Sequence, residues 1–108
     1  MAKKESKRPA KVEDVLALVR SHVEHGTYRD TRHAAQRKEE RDITLLEILH
    51  VLKRGHHEKR KDEFKPEYGD WNYAIRGRTV DQRELRVVVV FAVPGVLLIT
   101  AIDLDLKD

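Results

Sequence analysis

Hydrophobic residues recur along this chain first at helical spacing and then at strand spacing. Val12, Val15, Leu16, Val19 and Val23 follow the i, i+3, i+4 pattern, and the pattern stops near Gly26. This predicts an amphipathic helix with one apolar stripe. Thr27 to Thr31 reads as a short extended link, and His33 to Arg41 as a polar helical segment with few apolar anchors beyond Ala34 and Ala35. A second stripe, Ile48, Leu49 and Leu52, has a marked start. Thr44 with Glu47 three residues on forms a capping box, and Ile43 with Ile48 has the spacing of a hydrophobic staple. Lys53, Arg54 and Gly55 supply a basic last turn and a terminal glycine.

After Gly55 the period shortens to two. His56 to Lys65 is charged and reads as an exposed strand or extended loop, and Pro66 to Asp70 as a turn. Trp71, Tyr73 and Ile75 alternate with Asn72, Ala74 and Arg76, as in a half-buried strand. Leu85 to Val93 (LRVVVVFAV) is nearly continuous β-branched sequence, the mark of an inner strand. Pro94-Gly95 turns the chain, and Val96 to Ile102 completes a hairpin. The expected fold is α+β, with two to three N-terminal helices packed on a C-terminal antiparallel sheet of three to four strands. Both faces of LRVVVVFAV are apolar, so either a helix covers each face or a partner chain completes one.

Composition narrows the function classes. The 108 residues are 38% charged and only 6% aromatic, so the core must be mainly aliphatic. The absence of cysteine excludes disulfides, thiolate metal sites and a cysteine nucleophile. No apolar run approaches the roughly 18 residues that a membrane helix needs, and the basic start lacks the apolar stretch of a secretory signal. A cytoplasmic protein is expected. The net charge of +3 is uneven: residues 1–11 hold Lys3, Lys4, Lys7, Arg8 and Lys11 against Glu5, leaving 17 basic and 18 acidic residues beyond them. Residues 1–10 are expected as a disordered basic leader and 11–108 as a single domain. The leader suits either non-specific attraction to nucleic acid or plain solubility.

Two groups of residues could carry chemistry. His33, Arg37 and Arg41 lie four apart, near one another on a helical face. A titratable imidazole beside fixed guanidinium charges suits work on phosphate esters, and it is equally the look of a solvated face. Arg76, Arg78 and Arg86 fall on strands, where they could form an RNA platform or blunt solvent-facing edges. Trp71 and Tyr73 could stack bases or anchor the core. His56 and His57 are adjacent on extended chain and so point to opposite faces, a poor arrangement for a shared metal. No metal or other cofactor is expected.

The order and spacing of the first helix running into HGTYRDTRHA, the central DWNYAI and the terminal LRVVVVFAVPGVLLITAI resemble the MqsR branch of the MqsR/RelE-type bacterial toxins, over most of residues 11–104. The HAAQRKEERDIT…EILHVLKRG portion also resembles uncharacterised bacterial domains paired with MqsA/YgiT-type zinc-finger antitoxins. The resemblance implies a RelE-like fold and a toxin of a type II toxin–antitoxin system: a metal-independent endoribonuclease that cleaves messenger RNA. It implies RNA and a cognate, MqsA-like antitoxin as partners, with no membrane. A homodimer is a further option. Of the four side chains that such toxins are taken to use, the first lysine matches Lys59 or Lys61 loosely and the glutamine falls at Asn72. The tyrosine position falls at about Glu84, and the last lysine near Ile102 or Asp103, so two roles are unmatched. The expected catalytic set is therefore His33, Arg37, Lys59 and Arg76, with Arg41, Lys61, Trp71, Asn72, Arg78 and Arg86 binding RNA. The alternative is a non-catalytic RelE-like module that binds an antitoxin or a nucleic acid.

Overall fold

A computed structural model describes residues 8–30, 43–92 and 95–104. Helix α1 spans Val15–His25 and helix α2 Leu45–Arg54. The strands are β1 (Tyr28–Asp30), β2 (His56–His57), β3 (Glu63–Lys65), β4 (Asp70–Arg78), β5 (Glu84–Ala92) and β6 (Val96–Asp103), with a 3-10 turn at Lys59–Lys61. The fold is α+β, as the change of period indicated.

Both helices form where their local signals lie. Asp14 caps α1 by accepting from the Ala17 N–H at 3.1 Å, and Gly26 ends it in the left-handed region at φ 71°. The capping box of α2 is complete: the Thr44 N–H donates to Glu47 Oε1 at 2.9 Å, and the Glu47 N–H donates to Thr44 Oγ1 at 3.1 Å. The C-terminus of α2 departs from the usual glycine cap, because Gly55 is extended (φ −81°, ψ −169°). Here glycine serves close approach instead, since a Cβ on Gly55 would sit 2.4 Å from the Arg76 carbonyl oxygen. Arg20 of α1 satisfies that helix end, donating from Nε to the Leu52 carbonyl at 3.0 Å and from Nη2 to the Gly55 carbonyl at 3.1 Å.

The sheet runs in the order β1-β6-β5-β4-β2, with β3 also on the outer edge of β4. The expectation of three to four antiparallel strands needs correction on two counts. The sheet has six strands, and β1 pairs with β6 in parallel, aligning Tyr28 with Leu97 and Asp30 with Ile99. A three-residue strand is too short to show alternation, and its partner lies far along the chain. The helices are also not a purely N-terminal block, because β1 falls between them.

On β4, β5 and β6 the odd-numbered residues share one face. Tyr73, Ile75, Leu85, Val87, Val89, Leu97 and Ile99 are buried there against Val15 and Val19 of α1 and Ile48, Val51 and Leu52 of α2. The opposite face carries the even-numbered residues, among them half-buried Val88, Val90, Leu98 and Thr100. Among the described residues, no helix packs on that face. No described helix is long and apolar enough to cross a membrane.

Candidate functional site

The outer edge of β4 is where the ladder is interrupted. β2 pairs with Ile75 and Arg76, and β3 pairs with residues 70–72. Between them the chain loops out through the 3-10 turn, and Ala74 is left to be satisfied by other groups. Its carbonyl accepts from the Glu58 N–H at 2.8 Å, and its N–H donates to Asp62 Oδ1 at 3.0 Å. The Asp62 carboxylate is fully buried, and it also meets His57 Nε2 at 2.8 Å and Lys11 Nζ at 3.0 Å. His57 is thus a clamp within the fold, with its ring edge-on to Tyr73.

This interruption delivers Glu58 onto the even-numbered face. Its side chain is 7% exposed and lies between two guanidinium groups. Arg86 donates from Nε to Oε1 at 2.8 Å and from Nη2 to Oε2 at 3.3 Å, while Arg76 Nη1 donates to Oε2 at 3.2 Å. Arg76 and Arg86 face each other directly across β4 and β5. Arg76 Nε also donates to Glu84 Oε2 at 2.7 Å, and Arg78 Nη2 approaches Glu84 Oε1 at 3.4 Å. The charges therefore form a network in which each arginine has a carboxylate. The hydrogen bonds from Arg86, reinforced by those from Arg76 and opposed by burial, hold the Glu58 carboxyl down at about 2. Glu84 and Glu58 push the Arg76 guanidinium above its ordinary value, so it stays charged at any working pH.

The residues expected at a site are distributed unevenly around this cluster. Arg76, Arg78 and Arg86 belong to it, and Asn72 lies on the same face of β4, where its Oδ1 accepts from the Tyr68 hydroxyl. Lys59 and Lys61 are exposed on the 3-10 turn that follows Glu58. Trp71 is on the odd-numbered face, edge-on to Phe64 at 5.6 Å, and its Nε1 donates to the Pro9 carbonyl at 2.9 Å. Arg8 and Lys11 stand over its ring at 5.6 and 4.7 Å, so its surfaces serve the N-terminal segment. His33, Arg37 and Arg41 lie outside the described residues. Glu58 was not among the expected site residues. The available signal was Arg86, a lone charge within an aliphatic strand that needs an acidic partner.

Residues 31–103 match the family described as Domain of unknown function (DUF4258). The match covers more than half of the chain. The chain belongs to this family. The DUF4258 span contains Glu58, Arg76, Glu84 and Arg86, while α1 and β1 precede it. No curated protein and no solved structure matched the chain.

Proposed function

We propose that this protein is a metal-independent endoribonuclease with a RelE-like arrangement of helices on one sheet face and RNA on the other. In this reading it is the toxin of a type II toxin–antitoxin system, cleaving messenger RNA in the cytoplasm under the control of an MqsA-like zinc-finger antitoxin. The observation that carries the reading is the buried Glu58 carboxylate shared by Arg76 and Arg86 on the sheet face that no described helix covers.

The chemistry follows from competition between two anions. A phosphodiester presents two non-bridging oxygens to a pair of guanidinium groups, the match that makes arginine a phosphate ligand. As phosphate takes Arg76 and Arg86, Glu58 loses the hydrogen bonds that hold its pKa at about 2, and burial then raises it. A carboxylate that gains basicity as substrate arrives is suited to take the proton of the attacking 2′-hydroxyl. The two arginines then stabilise the charge that builds on the pentacoordinate phosphorus. Lys59 and Lys61 supply further positive charge along the approach of the RNA.

The test is cleavage of messenger RNA by purified protein without divalent metal, and growth arrest on induction. Glu58→Gln and Arg86→Ala should each reduce cleavage by at least about 100-fold, within the span of general acid–base and electrostatic contributions. His33→Ala and Arg37→Ala, assayed alongside, decide whether the segment before α2 contributes. Intact RNA and unimpaired growth with the wild type would end the enzymatic reading. The second reading, a non-catalytic module, draws on the same network, because Arg76 and Arg86 are already neutralised by Glu58. It requires RNA or antitoxin affinity with no cleavage on prolonged incubation.

A further inference from the structure

The register of β2 against β4 places a second titratable group in the row of site residues. His56 is aligned with Arg76, and Arg76 with Arg86. Directly opposed residues of an antiparallel pair project from the same face, with Cβ atoms about 5 Å apart. His56, Arg76 and Arg86 therefore form a line across three adjacent strands on the even-numbered face. His57 points the other way, into contact with Tyr73 and Asp62. The two histidines thus have separate surroundings. His57 is held by a buried carboxylate, whereas the His56 side chain is exposed and makes no hydrogen bond or ion pair with the described residues.

Position on the chain adds to this. β2 ends the strand order, so His56 stands where the face opens to solvent and an RNA strand can enter. Glu58 is two residues further along, a separation of roughly 6.5 Å in extended chain. A phosphoryl group fits in that interval with one group on its 2′-oxygen side and the other on its 5′-oxygen side. Gly55, pressed against the Arg76 carbonyl, fixes the backbone immediately before His56.

We infer that His56 is the general acid of the reaction, a role that rests on the endoribonuclease reading. The 2′-oxygen forms a bond to phosphorus as its proton passes to the Glu58 carboxylate. The bond from phosphorus to the 5′-oxygen breaks, and that oxygen takes a proton from the His56 imidazolium. The products are a 2′,3′-cyclic phosphate and a 5′-hydroxyl. Proton exchange with water then restores Glu58 to carboxylate and His56 to imidazolium, so no co-reactant is needed. Histidine suits the role because imidazole changes charge near neutral pH, and without a proton donor the 5′-alkoxide would be a poor leaving group.

The experiment compares a short RNA with the same RNA carrying sulfur in place of the bridging 5′-oxygen, since a thiolate departs without protonation. His56→Ala should cleave the oxygen substrate about 100- to 10,000-fold more slowly than wild type, the usual contribution of a general acid. It should cleave the sulfur substrate within a few-fold of wild type. Glu58→Gln should be equally impaired on both substrates. His57→Gln should show no dependence on the leaving group. Equal rates for His56→Ala and wild type, or an equal loss on both substrates, would overturn the role of His56 while leaving the nuclease reading in place. A wild-type protein that cleaves neither substrate would overturn both.

Discussion

The two faces of β4, β5 and β6 resolve burial in opposite ways. On the odd-numbered face, hydrophobic side chains from both helices and three strands exclude water, and the buried charge at its end, Asp103 opposite Leu85, is paired with Arg83. On the even-numbered face, aliphatic residues at one end give way to arginines and glutamates at the other, and Glu58 is nearly as buried as a core residue. The first face is stabilised by area removed from water and the second by mutual neutralisation. Burying apolar area is insensitive to pH and tolerant of similar volumes. Neutralisation depends on each partner being present and ionised, and a phosphate can compete for it.

The largest effect expected from breaking the comparison is on the covered face. Ile75 is fully buried between the helices and the sheet, and Ile75→Ala should cost about 4 kcal/mol through lost transfer energy and the cavity left behind. Urea unfolding would measure it, and cleavage per folded molecule should be little changed. A loss below about 1 kcal/mol would mean that the core relaxes around the gap.

Next comes the charge network. Because the Glu58 carboxyl is held at about 2 in the folded protein against an ordinary 4.5, its stabilisation is complete above pH 4.5 and is lost as pH falls toward 2. The shift corresponds to about 3 kcal/mol. Glu58→Gln should remove a stabilisation of that order at pH 7 and flatten the acid limb of stability between pH 4.5 and 2. An acid limb identical to wild type would show that Glu58 contributes no linkage.

The third test joins the faces. Gly55→Ala would place a methyl group 2.4 Å from the Arg76 carbonyl oxygen and 2.7 Å from that of Val51, both backbone atoms that cannot rotate away. The strand must shift, at a cost of about 2 kcal/mol. Because Arg76 moves with it, cleavage should fall as well, in contrast to Ile75→Ala. Stability loss with unchanged cleavage would show that the helix end and the site are mechanically independent.

These contrasts also explain what was readable in the chain. The covered face was legible because its signals are local: the Thr44–Glu47 box, the helical stripes and the alternation of Trp71, Tyr73 and Ile75. Within α2 the stripe omitted Val51, which is fully buried because α2 lies so close to β4 at Gly55 and Gly77. The charged cluster was only half legible. Arg76, Arg78 and Arg86 stand out on strands, but Glu58 lies in a segment whose composition reads as solvated loop. Only the interrupted edge of β4, closed by Asp62 and the 3-10 turn, carries it to partners 18 and 28 positions away. Alternation alone sets His56 and His57 on opposite faces, but the register that brings His56 opposite Arg76 is a tertiary fact. β1 was similarly hidden, since three residues carry no period and its parallel partner is the last strand.

The smallest expected effect lies outside both faces and so serves as their control. Gln82, in the turn from β4 to β5, is the only described non-glycine residue with positive φ, at 72°. Its N–H donates to the Thr79 carbonyl at 2.9 Å and its carbonyl accepts from Arg78 Nη1 at 3.3 Å, both through backbone atoms that a substitution retains. The left-handed conformation costs an L-residue about 1–2 kcal/mol, whereas glycine adds about 0.5–1 kcal/mol of chain entropy to be lost on folding. Gln82→Gly should therefore raise stability by about 0.5–1 kcal/mol, a few degrees in thermal unfolding. Cleavage and the acid limb should both be unchanged, because neither the aliphatic layer nor the Glu58 network includes this side chain. A fall in cleavage would mean that the turn sets the register of Arg78 against Glu84, drawing the hairpin into the charged face.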